Sequence, residues 1–359
     1  MFQLIYSPLM VSLGRHFRLS KSRLATMAVV ILGLVNARTV NLTHLASQFP
    51  GDARLSSNYR RLQRFFQHVH LDQAQIACLV VQLLNLSRPR CLVLDRTNWK
   101  LGATDINFLV LAIVTRSFRV PILWSLLPHQ GNSDTDQRIA LMKRYLAMFE
   151  AGSIECLLAD REFVGQRWMD FLNENNIPFV IRVKAAMRIS LSEGGTWSFR
   201  TLVRGRRLRT VCRCWSGTFP GSNHGLQFAA REIKGRDWLI IATNMPDAKR
   251  ALQIYRRRWA IENLFADSKT RGFNLEDTHI TNPDKLSTLF GLVTLAITWA
   301  YRSATQTMGH KTIKRKTHKR RQKSWFRIGF DILRYWILHQ PHNAINAWIH
   351  KCPIRPLSN

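Results

Sequence analysis

The sequence predicts an α/β protein: a catalytic domain of mixed sheet and helices, interrupted by β strands and preceded by a helical domain. Three observations predict it. The runs CLVLD at 91–95 and IECLLAD at 154–160 have the length of buried strands, and each ends in a carboxylate. Residues 1–88 carry apolar runs of helical length instead. Residues 185–236 are rich in Gly, Arg and short alternating stretches, the texture of antiparallel ribbon. With 359 residues, 46% of them hydrophobic, the chain can bury a substantial core.

In chain order, helices are expected at 19–35 and at 73–86, the second capped by Asp72. Between them a short helix at 41–49, a Pro-Gly-Asp turn at 50–52 and a helix at 55–66 suggest a helix-turn-helix-like DNA reader presenting Arg60, Arg61 and Arg64. A helical bundle with a solvated basic face fits the same pattern. Strands follow at 91–95, 109–114 and 122–127, a helix at 134–149, a strand at 154–160, a helix at 166–175 and a strand at 178–183. That order, β-β-β-α-β-α-β, is what an RNase H-like domain would show, and it makes the strands carrying Asp95 and Asp160 neighbours. After the β insertion at about 185–236 a buried strand, 238–243, leads back into helix. The divisions are thus 1–88, 89–310 and 311–359, the last a basic segment followed by one or two closing helices.

Lys and Arg number 53 against 22 Asp and Glu, a formal charge of +31. Such an excess calls for a polyanionic partner, of which nucleic acid is the commonest. No apolar run reaches the roughly 18 residues that a membrane span needs, and no signal peptide is evident, so a cytoplasmic protein with no membrane partner is expected. The 6 cysteines show no zinc-ligand spacing and read as reduced, mostly buried thiols.

Tyr255, Arg258, Glu262 and Lys269 step by three, four and seven, which on one continuous helix places them along a single stripe. Trp259, Ile261, Leu264 and Phe265 fall on another arc, suited to anchoring that helix in a core. Cleavage of a phosphodiester without a covalent enzyme intermediate commonly uses two divalent metals about 3.5–4 Å apart, held by carboxylates. Asp95, Asp160 and Glu262 are the expected ligands. Glu155, Glu162, Asp267, Glu276 and Asp277 are rivals by proximity in sequence.

The pattern Y-x2-R-x3-E-x6-K at 255–269 resembles the signature of the insertion-sequence-four family of DDE transposases, and the likeness extends over about 89–305. The resemblance implies an RNase H-like domain with a β insertion, a triad of Asp95, Asp160 and Glu262 holding two Mg²⁺ or Mn²⁺ ions, and cut-and-paste movement of an insertion sequence through a hairpin. Its partners would be transposon-end inverted repeats and target DNA, bound by a homodimer in the bacterial cytoplasm, at the nucleoid. It further implies that Tyr255, Arg258 and Lys269 contact DNA near the transposon end, and that an aromatic on the strand before the signature helix, here Trp238, stacks on a flipped base. Glu162 departs from the family, where a small residue often stands. An RNase H-like nuclease or resolvase would keep the carboxylates without the signature, and an inactive DNA-binding relative would keep the charge without the triad.

Overall fold

The computed structural model describes residues 2–86, 90–204, 212–233, 237–309, 311–317 and 321–349. The divisions drawn at 88 and 310, residues 208–211 of one alternating stretch, and basic positions 319 and 320 lie outside these.

Five helices open the chain: α1 (Phe2–Gly14), α2 (Lys21–Ala37), α3 (Leu42–Ala46), α4 (Leu55–His68) and α5 (Gln73–Leu83). α2 is apolar all round and buried from Ala25 to Val35, as such a helix must be. Asn41 and Asp72 cap α3 and α5 by accepting from the amides of Thr43 and Ala74. α3 is shorter than its sequence suggests, because the turn that follows starts early and needs Gly51 at φ 89°.

The remainder is built on one mixed sheet of ten strands. β1 (Arg90–Leu101), β2 (Thr104–Val114) and β3 (Arg119–Leu126) form an antiparallel meander. After α6 (Thr135–Leu146), opened by a capping box of Asp134 and Gln137, β4 (Ile154–Ala159) lies parallel to β1. After α7 (Gln166–Glu174), β5 (Phe179–Arg182) lies parallel to β4. Then come β6 (Arg188–Leu191), β7 (Thr196–Ser198), a short α8 (Phe199–Val203), β8 (Arg213–Thr218), β9 (Leu226–Ile233) and β10 (Asp237–Thr243). The order across the sheet is β3-β2-β1-β4-β5-β10-β9-β8-β6-β7.

One expectation is corrected here. β1 does not stop at Asp95 but runs on to Leu101, because its hairpin with β2 supplies hydrogen-bond partners beyond the apolar stretch. The strands within 185–236 are antiparallel, and since β9 pairs with β10 they continue the same sheet.

α9 (Ala248–Tyr255) and α10 (Ala260–Ser268) return the chain to the first strands, and α11 (Pro283–Met308) runs through the core. Phe290 of α11 meets Trp124 of β3 and Phe108 of β2, with ring centroids 5.0 and 4.9 Å away. α12 (Trp325–His339) and α13 (Pro341–Ile349) close the chain. Gly329 of α12 lies so close to the Ala300 carbonyl of α11 that no Cβ fits. α1 and α13 meet, with the Trp348 indole donating to Ser12 Oγ at 2.9 Å. Among the described residues no helix is long and apolar enough to cross a membrane.

Candidate active site

β1 and β4 are parallel, with Leu94 paired to Ala159. The next residue on each chain is a carboxylate, so the ladder delivers Asp95 and Asp160 side by side. Asp95 Oδ1 accepts from the Arg96 amide at 2.8 Å, and Asp160 Oδ1 accepts from the Arg161 amide at 2.8 Å, capping a 3-10 turn, Arg161–Phe163. The Asp95 side chain is 17% exposed. Burial pushes its carboxyl up to about 6, with Glu162 and Asp160 adding to the rise and the Arg96 amide and Arg258 opposing it.

The signature segment is not one helix. α9 ends at Tyr255, Arg256–Trp259 forms a 3-10 turn, and α10 begins at Ala260; Lys269 lies past its end, outside helical geometry. The tighter winding still turns the signature residues to the carboxylates. Arg258 Nη1 donates to Asp95 Oδ2 at 3.1 Å and Nη2 to Glu262 Oε1 at 2.8 Å, so one guanidinium joins two carboxylates. Burial lowers the Arg258 pKa, but Tyr255 and the three carboxylates outweigh it and the net shift is upward. The Tyr255 hydroxyl donates to Asp160 Oδ1 at 3.4 Å; burial, then the Asp160 charge, holds it well above the usual phenol range. Lys269 Nζ donates to the Asn98 carbonyl at 3.2 Å, pairs with Glu276 at 2.7 Å and lies over the Trp99 ring.

The rewinding has a second consequence. Ile261 and Leu264 are buried as expected, but Trp259 is 64% exposed, beside Arg258, instead of anchoring the helix. A 3-10 turn advances each residue by about 120° instead of 100°, enough to carry Trp259 off the buried arc. Trp238, at the start of β10, is half-buried against the core. β10 runs antiparallel to β5 with Ile241 opposite Arg182, which sends Trp238 past the β5 end on the edge where Asp160 lies.

The three N-terminal arginines divide. Arg60 and Arg64 stand on the exposed face of α4, whereas Arg61 donates to Thr26 Oγ1 at 2.9 Å and to the Ser22 carbonyl, and stacks on Phe49. Of the rivals to the triad, Asp267 is buried against Arg119 and Glu155 pairs with Arg257. Asp277 accepts from Thr39. Cys91 and Cys156 are buried, but Cys78 and Cys214 are exposed. Arg96 escaped the sequence reading, although an arginine directly after a carboxylate, in Asp95-Arg96 as in Asp160-Arg161, was a signal that could have found it.

Among the described residues no three His, Cys, Asp or Glu side chains are gathered ready to hold one metal ion, Arg258 standing between Asp95 and Glu262. The donor chemistry nevertheless fits a hard divalent cation: oxygen only, anionic, and packed round the place a cation already takes. Carboxylates drawn from two neighbouring strands and a helix, ringed by Arg, Lys and Tyr on a strongly basic chain, are the groups that a phosphodiester-handling enzyme of nucleic acid would use. The family described as Transposase DDE domain matches residues 86–299, and the chain belongs to it. Membership brings DNA as partner and a general dependence on divalent metals. No curated protein shows a significant match to the chain.

Proposed function

We propose that this protein moves an insertion sequence by cut-and-paste transposition, with Asp95, Asp160 and Glu262 as the ligands of two Mg²⁺ or Mn²⁺ ions. The observation that carries the reading is that Asp95 and Glu262 converge on one guanidinium, Arg258, while Asp160, beside Asp95 across the strand ladder, accepts from Tyr255 of the same signature. The strand order β3-β2-β1-β4-β5, antiparallel then parallel, supports an RNase H-like domain extended by the strands of the insertion. When bound, the metals supply activation of the attacking hydroxyl and charge against the scissile phosphate.

The chain's own residues do the rest. The carboxylates would hold the metal ions. Tyr255, Arg258 and Lys269 hold phosphates near the transposon end, their present carboxylate and carbonyl partners being exchanged for phosphate oxygens. Trp238 stacks on a base flipped out so that the backbone can turn into a hairpin, and exposed Trp259, beside Arg258, offers a second aromatic surface. The exposed face of α4, with Arg60 and Arg64, reads DNA, and Arg61 holds that helix on α2. Two copies act together on paired ends, at the nucleoid.

The test is strand cleavage of a duplex carrying the inverted repeats that flank the reading frame. Asp95→Asn, Asp160→Asn and Glu262→Gln should each abolish metal-dependent cleavage and leave DNA binding near normal. Near-wild-type cleavage by any of them removes that residue from the triad. Cleavage with no hairpin product would point to a nuclease, and binding without cleavage by the wild type to an inactive relative.

A further inference from the structure

We propose that Arg96 and Glu162 are positioning residues that set the distance between Asp95 and Asp160, and that Arg96 keeps Glu162 out of the metal-binding set. This rests on reading the three carboxylates as metal ligands.

The β1–β4 ladder ends at Leu94 and Ala159. Beyond it β1 runs on against β2, whereas the other chain leaves β4 for the turn Arg161–Phe163. Backbone pairing brings the two aspartates together but does not hold the second one. Arg96 spans the gap. Its Nε donates to Glu162 Oε1 at 2.8 Å and its Nη2 to Glu162 Oε2 at 3.0 Å, a two-pronged contact that fixes direction as well as distance. The guanidinium is itself immobilised: Nη1 donates to the Gly131 carbonyl and to Asn107 Oδ1, and Nη2 to Asn132 Oδ1.

The turn is gripped from the other side as well. Arg138 of α6, buried and stacked 5.1 Å over Phe163, donates to the Glu162 carbonyl at 3.1 Å. Two arginines thus hold one residue, one by its side chain and one by its backbone. Because successive strand residues point to opposite faces, Arg96 leaves β1 on the side away from Asp95, bracing the frame without crowding the ligands.

Electrostatics give Arg96 its second task. Glu162 is a fourth carboxylate, two residues beyond Asp160 and held by the residue next to Asp95. Released, it would offer metal two more oxygens; paired, both are taken. A lysine keeps the charge but, as a point donor, cannot hold both oxygens in one plane.

The experiment is Mn²⁺ titration of the full-length protein, followed by paramagnetic resonance of the free ion, with melting curves and cleavage rates in Mg²⁺ and Mn²⁺. Asp95→Asn and Asp160→Asn define the specific site by removing it. Arg96→Lys, which keeps Glu162 paired but loosely, and the double variant Arg96→Met with Glu162→Gln, which has no clamp and no carboxylate to release, should each weaken Mn²⁺ binding about tenfold, the scale seen when groups that orient metal ligands are lost. They should also lower Mg²⁺-supported cleavage more than Mn²⁺-supported cleavage, since Mg²⁺ is the less tolerant of distorted geometry. Glu162→Gln, which keeps an acceptor for Arg96, should fall between them and wild type. Arg96→Lys with wild-type Mn²⁺ affinity and a wild-type Mg²⁺ to Mn²⁺ ratio overturns the proposal. So does a loss equal in both metals that tracks a fall in melting temperature, which would make the pair merely structural. Glu162→Gln as damaging as Asp160→Asn would make Glu162 a ligand and overturn it too. If Asp95→Asn and Asp160→Asn leave Mn²⁺ binding untouched, it is the metal-ligand reading that has failed, and the clamp falls with it.

Discussion

Replacing Asp95 by Asn should destroy strand cleavage and at the same time make the fold more stable. The carboxyl moves from an ordinary value of 3.8 to about 6 because it is buried. Each tenfold change in proton affinity is worth about 1.4 kcal/mol, so keeping Asp95 charged in the folded protein costs about 3 kcal/mol. Asn keeps one oxygen, for the Arg96 amide, turns an NH2 that cannot accept toward Arg258, and carries no charge to desolvate. Allowing for the lost bond to Arg258, we expect Asp95→Asn to gain about 1–3 kcal/mol at pH 7.5. For a chain of this length that is a melting point about 1–4 °C higher.

The sign follows from linkage. A carboxyl whose folded pKa is raised binds its proton more tightly folded than unfolded, so wild type loses stability as pH rises from about 4 to about 6 and regains none above it. The advantage of Asn should therefore be full above about pH 6 and fade toward pH 4. Urea unfolding of both proteins at pH 7.5, 5 and 4 measures it. A variant less stable than wild type at pH 7.5, or an advantage that does not shrink on acidification, would refute the reasoning that burial strains this carboxylate.

Other outcomes follow from the same geometry. Arg258→Ala frees an oxygen on each of Asp95 and Glu262, so at pH 8 Mn²⁺ should bind more tightly while transposon-end DNA binds more weakly; unchanged or weaker Mn²⁺ binding contradicts the bridge. Trp238→Ala should nick normally but form hairpins slowly, with partial rescue by an abasic site at the flipped position, and a uniform loss with a large drop in melting temperature would reduce it to core packing. Trp259→Ala, altering an exposed side chain, should change stability by no more than about 0.5 kcal/mol while slowing hairpin formation; a large stability loss would mean the indole is packed. Arg60→Ala and Arg64→Ala should each lower the salt slope of DNA binding by about 1, whereas Arg61→Ala should mainly lower the melting temperature, which binding isotherms and melts will separate. Gly329→Ala drives a methyl into the Ala300 carbonyl and should cost at least about 1–3 kcal/mol; an unchanged melting curve would mean that α11 and α12 do not cross as described.

The strands bearing Asp95 and Asp160, the insertion between β5 and β10 and the residues of the signature were legible in the sequence, since each rests on local pattern. An apolar run of strand length ending in Asp says where a carboxylate emerges, and a net charge of +31 says what kind of partner it meets. What local pattern could not reveal is what pairs with what. That β1 continues to Leu101 depends on β2 opposite it, and that the insertion joins the main sheet depends on β9 finding β10. The spacing at 255–269 implied one helical stripe with Trp259 inward, but packing against the sheet tightens the middle into a 3-10 turn and exposes the indole. The three arginines of α4 are alike in sequence, and only the position of α2 beneath them makes Arg61 different. The sequence by itself determined which groups are available for chemistry. The tertiary structure decided their distant partners, Asp95 for Arg258 and Glu162 for Arg96, because those contacts join residues 163 and 66 positions apart. Contacts at that separation are fixed by the cooperative assembly of the sheet, which no window of sequence contains.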